Sequence, residues 1–115
     1  MNNKLAKYSI HYDSESETIS FSGKLRFTQT DPEFAEISEL LKTVLEKDPP
    51  QITLNLEELE FLNSLGISMI SKFIIKIRNK KSIHAIVKAS HEISWQGKSL
   101  VNLQRIMPSL EFTWV

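Results

Sequence analysis

A strand that runs almost directly into a long apolar helix constrains this chain more than any other feature. Ile52-Thr-Leu-Asn-Leu56 is short and rich in strand formers, and Asp48-Pro49-Pro50 isolates it from what precedes. A short acidic turn, Glu57 to Glu60, follows. Then Asn63-Ser64-Leu65-Gly66 opens a helix to about Asn79, with Ile67, Ile70, Phe73, Ile74 and Ile77 at helical spacing. Ser82 to Ala89 reads as the next strand. A strand, a crossover helix and a second strand make a parallel unit, and parallel strands are buried.

The remaining segments extend that unit. Tyr8 to Tyr12 and Thr18 to Leu25 alternate apolar with polar residues around the polar Asp13-Ser-Glu-Ser-Glu17, the pattern of an antiparallel hairpin. Asp31-Pro32-Glu33 starts a helix: an N-cap, a proline at the first position and an acid at the positive dipole end. That helix buries Phe34, Ile37, Leu40, Leu41, Val44 and Leu45, and the two prolines stop it. His91 to Gly97 is expected as a loop. Lys98 to Met107 is expected as a helix that Pro108 ends, and Leu110 to Trp114 as a last strand. The order β-β-α-β-α-β-α-β predicts an α/β fold with one mixed, mostly parallel sheet and helices packed on it. Nothing divides the chain, so residues 1–115 form a single domain.

Composition excludes several classes. Fourteen basic residues balance fourteen acidic ones, so bulk charge favours neither nucleic acid nor an anionic membrane. With no cysteine there is no disulfide and no thiolate metal site. The opening residues lack the apolar core of a signal peptide, and no apolar run reaches the ~20 residues that span a bilayer. The expectation is a soluble, cytoplasmic protein.

The candidate site is Ser64. A hydroxyl at the first turn of a helix sits among free N–H groups at the positive dipole end, where an added phosphate is tolerated. The same position suits an ordinary helix cap. A nucleophilic role requires a base, and the histidines, His11, His84 and His91, are scattered: His84 starts a strand at the opposite sheet edge from Ser64, and His91 follows that strand toward the Ser64 end of the sheet. No metal constellation is present. Gly97-Lys98-Ser99 echoes the end of a phosphate loop, but position 92 is Glu rather than the first glycine. No cofactor is expected.

Leu54-Asn-Leu-Glu-Glu-Leu-Glu-Phe-Leu-Asn-Ser-Leu-Gly66 resembles the STAS domain, in particular the bacterial anti-sigma-factor antagonists. Their signature is a hydrophobic strand, an acidic linker, Phe, a hydrophobic residue, Asp-Ser-Ser/Thr-Gly and a helix. Phe61, Leu62, Ser64 and Gly66 match; Asn63 replaces Asp and Leu65 replaces the second hydroxyl residue. A further departure is that no helix follows the last strand. Ser71-Lys-Phe, Lys76-Ile-Arg-Asn-Lys-Lys81 and Trp95 to Pro108 resemble, more narrowly, a small STAS-like regulator family of cyanobacteria and other bacteria.

The resemblance implies a non-catalytic binding module acting in a partner switch. Unphosphorylated protein binds a serine-kinase-type anti-sigma factor or a similar regulator; phosphorylation of Ser64 breaks the complex, and a PP2C-type phosphatase restores it. Asn63, Leu65 and Gly66 shape the switch loop. Leu62, Met69 and Lys72 are candidates for the partner surface, with Leu62, Leu65, Met69 and Ile75 forming an exposed apolar patch or, alternatively, a helix buried on more than one side. Gly66 is expected to permit close approach of a partner or of backbone. A constitutive adaptor and a small-ligand or nucleotide sensor stand as alternatives. The protein is expected to be a monomer or a weak homodimer paired through its last strand.

Overall fold

The structure, a computed structural model, describes residues 8–115. The element order is β1 (Tyr8–Asp13), β2 (Thr18–Leu25), α1 (Pro32–Glu46), β3 (Gln51–Leu62), α2 (Ser64–Lys80), β4 (His84–Ala89), α3 (Ser94–Ser99), α4 (Val101–Ile106) and β5 (Glu111–Trp114). The expected α/β architecture is the one observed. The five strands lie in sequence order. β1 and β2 form the antiparallel hairpin, and every later neighbour is parallel. Each crossover advances one position in the same direction. With the right-handed connection that strand twist favours, all helices therefore fall on one face.

Burial follows from that arrangement. Ile19, Phe21 and Leu25 of β2, Ile52, Leu54 and Leu56 of β3, and Ala85, Val87 and Ala89 of β4 point into one core. The helices cover it with Ile37, Leu41 and Val44 from α1 and Ile70, Phe73, Ile74 and Ile77 from α2. The opposite face carries Ser9, Ser20, Ser22, Asn55 and Lys88, none of them buried. This is why the strands alternate so legibly in sequence.

Several boundaries differ from expectation. Asp31 occupies the N-cap position of α1 but does not cap it: its Oδ2 accepts from the Thr28 N–H at 2.8 Å, closing the preceding loop. β3 does not end at Leu56. It continues through the acidic residues to Leu62, so the expected turn is strand. Two register shifts against β2, between Ser20 and Ser22 and between Gly23 and Lys24, place extra residues on β3. Its buried positions become Leu54, Leu56, Leu59 and Leu62, no longer two apart, and Glu58 and Glu60 stay exposed.

The segment expected as a loop followed by one helix is two short helices. Leu103 N–H bonds to Leu100 O, three residues back, and this tighter turn separates α3 from α4. Leu100, Leu103 and Met107 are buried as the spacing predicts. Met107 is extended, the conformation forced on a residue before proline.

The shift of α3 toward the N-terminus places a polar side chain in the core. β4 pairs with β3 only as far as Asn55 and Lys88, so the later carbonyls on that side of β3 have no strand beside them, although β2 still pairs on the other side. Gln96 of α3 is 0% exposed and supplies the donors. Its Nε2 donates to Leu56 O at 2.6 Å and Leu59 O at 3.0 Å, and its Oε1 accepts from the Ser90 N–H at 2.8 Å. The Trp95 indole N–H also donates to Leu59 O at 3.1 Å, so Trp95 is half-buried and helical, not in a loop. Gln96→Leu would strip Leu56 O and the Ser90 N–H of their side-chain partner and leave Leu59 O with the Trp95 indole alone, and it should lower the unfolding free energy by about 3 kcal/mol in urea titrations. Gly97→Ala, one residue along on the open side of α3, meets nothing within 4 Å. It should raise stability by roughly 0.5 kcal/mol through helix propensity.

Candidate functional site

The β3–α2 junction is held from three directions. The Asn63 N–H donates to Leu25 O at 3.2 Å, which continues the β2–β3 pairing by one residue. Asn63 Oδ1 accepts from the Gly66 N–H at 3.1 Å and caps α2. Asn63 Nδ2 donates to Phe27 O at 2.8 Å and ties the junction to the loop before α1. Both ends of the amide are therefore in use, and their partners fix its orientation: the oxygen faces an N–H and the nitrogen faces a carbonyl. A carboxylate could make the cap but not the bond to Phe27.

Ser64 is the first residue of α2 and is exposed. Among the described residues its hydroxyl has no hydrogen-bond partner, so neither a base nor a carboxylate contacts it. The histidines are engaged elsewhere. His84 begins β4, at the far end of the sheet, and its Nε2 lies 2.9 Å from Glu111. His91 stacks on Trp114 at the β5 edge, with ring centroids 5.2 Å apart. His11 is exposed on β1. Among the described residues no group of histidine and acidic side chains is arranged to hold a metal. Gly97, Lys98 and Ser99 lie within α3, where consecutive N–H groups cannot converge on a phosphate as they do in an open loop.

Gly66 has a different function from the one expected. It is buried, and a Cβ built on it would lie 2.2 Å from Leu62 Cδ1 and 2.9 Å from Leu62 Cγ. The close approach is made by the chain's own Leu62, folded over the first turn of α2. Leu62 is consequently 5% exposed, and Met69 is 8% exposed against the core. The exposed apolar patch expected from Leu62 and Met69 does not form, because α2 is buried on two sides: against the sheet and toward α1. Leu65 and Ile75 are half-buried, and Lys72 is exposed. Lys72 is on the same row of α2 as Ser64 and Ser68, spaced four residues apart.

Beside the junction, Phe61 of the sequence motif meets a residue that the sequence did not single out, Arg26. Phe61 is 37% exposed, and the Arg26 guanidinium lies over its ring at 4.6 Å. They come together only because Lys24 and Phe61 are register partners across a bulge. Glu58 and Glu60 flank this pair on the exposed edge of β3. Three groups are held off their ordinary titration range: burial, with Glu33 nearby, pushes the Tyr8 phenol up beside the start of α1, and the other two lie at the far end of the sheet. The Ser16 hydroxyl and the Glu15 N–H keep the Asp13 carboxyl low, and the bond to the Tyr12 hydroxyl keeps the Lys47 ammonium high.

No protein-family model matches the chain, and no curated protein matches it. Among solved structures, an anti-sigma factor antagonist from Mycobacterium paratuberculosis aligns with a TM-score of 0.68. The alignment covers 90% of this chain and 85% of that one at 19% identity. The chain thus has the STAS-like fold of an anti-sigma factor antagonist. Among the described residues no helix is long and apolar enough to cross a membrane.

Two substitutions test the junction. Asn63→Asp places an oxygen 2.8 Å from the Phe27 carbonyl, and its better match to the helix dipole recovers only part of the loss. A net destabilisation of about 1 kcal/mol is expected in urea unfolding. Gly66→Ala forces the buried Leu62 side chain to move and should cost about 1–3 kcal/mol despite alanine's better helix propensity.

Proposed function

We propose that this protein is a regulatory binding module of the anti-sigma-factor-antagonist type, with Ser64 as its switch. The observation that carries the reading is the Ser64 hydroxyl itself: exposed, unbonded and fixed at the start of a 17-residue helix by a rigid cap. A partner kinase can reach such a group without unfolding anything. The surface around it, with Ser64, Ser68 and Lys72 on one row of α2 and the Arg26–Phe61 pair on the neighbouring strands, has the mixed aromatic and basic character of a docking face. In this reading Leu62 and Met69 act from beneath the surface, by setting the position of Leu65.

The partner is a serine-kinase-type anti-sigma factor or a similar regulator, met in the cytoplasm. Binding releases that regulator's own target. Phosphate on Ser64 adds roughly −1.5 to −2 charge at pH 7. Within the free protein the helix N-terminus accommodates that charge. Within the complex it must lose its water and lie near Glu58 and Glu60. A penalty of about 3 kcal/mol there weakens binding on the order of a hundredfold. A PP2C-type phosphatase resets the switch. Asn63 uses both amide ends on the junction and offers no carboxylate to the hydroxyl, so phosphoryl transfer depends on groups that the kinase supplies.

Pulldown from the native host with wild-type, Ser64→Ala and Ser64→Asp baits tests this, with mass spectrometry of bait and prey. A kinase-like protein held by wild type and Ser64→Ala, depleted at least tenfold on Ser64→Asp, with phosphate on wild-type Ser64, is the expected result. The same prey on all three baits, with Ser64 unmodified, would mark a constitutive adaptor.

A further inference from the structure

A slot of about 240 Å³ runs between α1 and α2. Its walls are apolar and its rim is basic. Leu41, Met69 and Phe73 form the floor, and each is under a tenth exposed. Lys42 on one bank and Lys72 and Lys76 on the other are exposed and line the opening. No acidic residue lines the slot, and none of the three lysines belongs to an ion pair among the described residues. Three unpaired ammonium groups around one apolar slot stand out in a chain whose net charge is zero.

We infer that this slot binds a single-chain fatty acid, with the alkyl chain between α1 and α2 and the carboxylate among Lys42, Lys72 and Lys76. Charge complementarity sets the head group: an anion restores the missing partner of lysines that nothing else neutralises. Size sets the body: Leu41, Met69 and Phe73 give an apolar floor, and a slot of this volume takes an alkyl chain but not a helix, which is about 10 Å across with its side chains. Volume sets the length. A cavity of ~150 Å³ holds a six-carbon ring, so this one accepts about ten carbon atoms. The two serines on the walls, Ser38 and Ser68, leave the mouth wide enough for the head group to enter. The slot shares Leu65, Ser68, Met69 and Lys72 with the docking face proposed above, but the fatty-acid reading rests on the slot's own lining and charge and not on phosphorylation of Ser64.

Titration of the isotope-labelled full chain with decanoate, below its micellar concentration, tests it by NMR. Saturable shifts with one-site stoichiometry are expected at Leu41, Met69 and Phe73. Affinity should rise roughly three- to fourfold per methylene from octanoate to decanoate and level off once the slot is full. Decanol should bind at least tenfold more weakly. So should decanoate on Lys72→Ala/Lys76→Ala, whose changes are at exposed positions and spare the core. Ser38→Phe, from a half-buried wall position, should block the slot. If that variant does not fold, the lysine variant and the chain-length series still decide. No saturable shift, equal binding of decanol and decanoate, or unchanged binding by the lysine variant would each overturn the proposal. Shifts at the slot that depend on protein concentration alone would overturn it too and assign the slot to a second copy of the chain. None of these results bears on the Ser64 pulldown, so the two readings fail separately.

Discussion

The carboxamide of Gln96 holds the overhanging end of β3 in place. β3 outruns β4 by seven residues, from the pairing of Asn55 with Lys88 to the end at Leu62. Along that overhang β2 still pairs on one side, but the carbonyls on the β4 side have no strand to receive them. An unpaired buried carbonyl costs about 1–3 kcal/mol, enough to make the overhang peel away. Gln96 meets both Leu56 O and Leu59 O and takes the Ser90 N–H in return. One side chain thereby replaces the missing strand and joins β3, the end of β4 and α3. Everything that places Ser64 follows from an overhang fixed in this way.

The second anchor is Asn63, which joins the overhang to α2 and to the loop before α1. With the bonds to Leu25, Gly66 and Phe27 made, α2 can start at only one residue and in one direction. Leu62 folds back over Gly66 and seals the junction from below. The result is a fixed junction that presents Ser64, exposed, at the first turn of α2. The chain's charge is balanced overall but not locally. Acidic side chains gather on the exposed edge of β3, and basic ones gather over the α1–α2 slot. The two faces of the same helix start therefore present opposite electrostatic character to whatever approaches.

Much of this was legible before any coordinates. Hairpin alternation in β1 and β2 and the proline-bounded α1 read correctly because each is governed by local rules: side-chain period, caps and breakers. The strand before Ser64 was legible only to Leu56. Beyond it, two bulges shift the buried positions from every second residue to a mixture of two and three, and a run of glutamates then resembles a turn. The start of α3 was missed because Ser94 to Gly97 carries no apolar stripe; its buried residue is a glutamine. Sequence left open whether Met69 faces solvent, because a helix touching both the sheet and a second helix is apolar over more than one stripe, and it left Leu62 open because that residue ends a bulged strand.

Sequence alone determined the order of strands and helices, the parallel crossovers and the position of Ser64 at a helix start. Each of these is written in neighbouring residues, and short-range sterics and hydrophobic period are enough to decode them. Tertiary structure alone decided which polar groups meet. The pairing of Gln96 with Leu56 and Leu59 spans about forty positions, that of Asn63 with Phe27 spans 36, and the slot needs lysines from two helices. Such meetings depend on the register of strands and the docking of helices. No local pattern encodes them, because the free energy that fixes them belongs to the packed core as a whole.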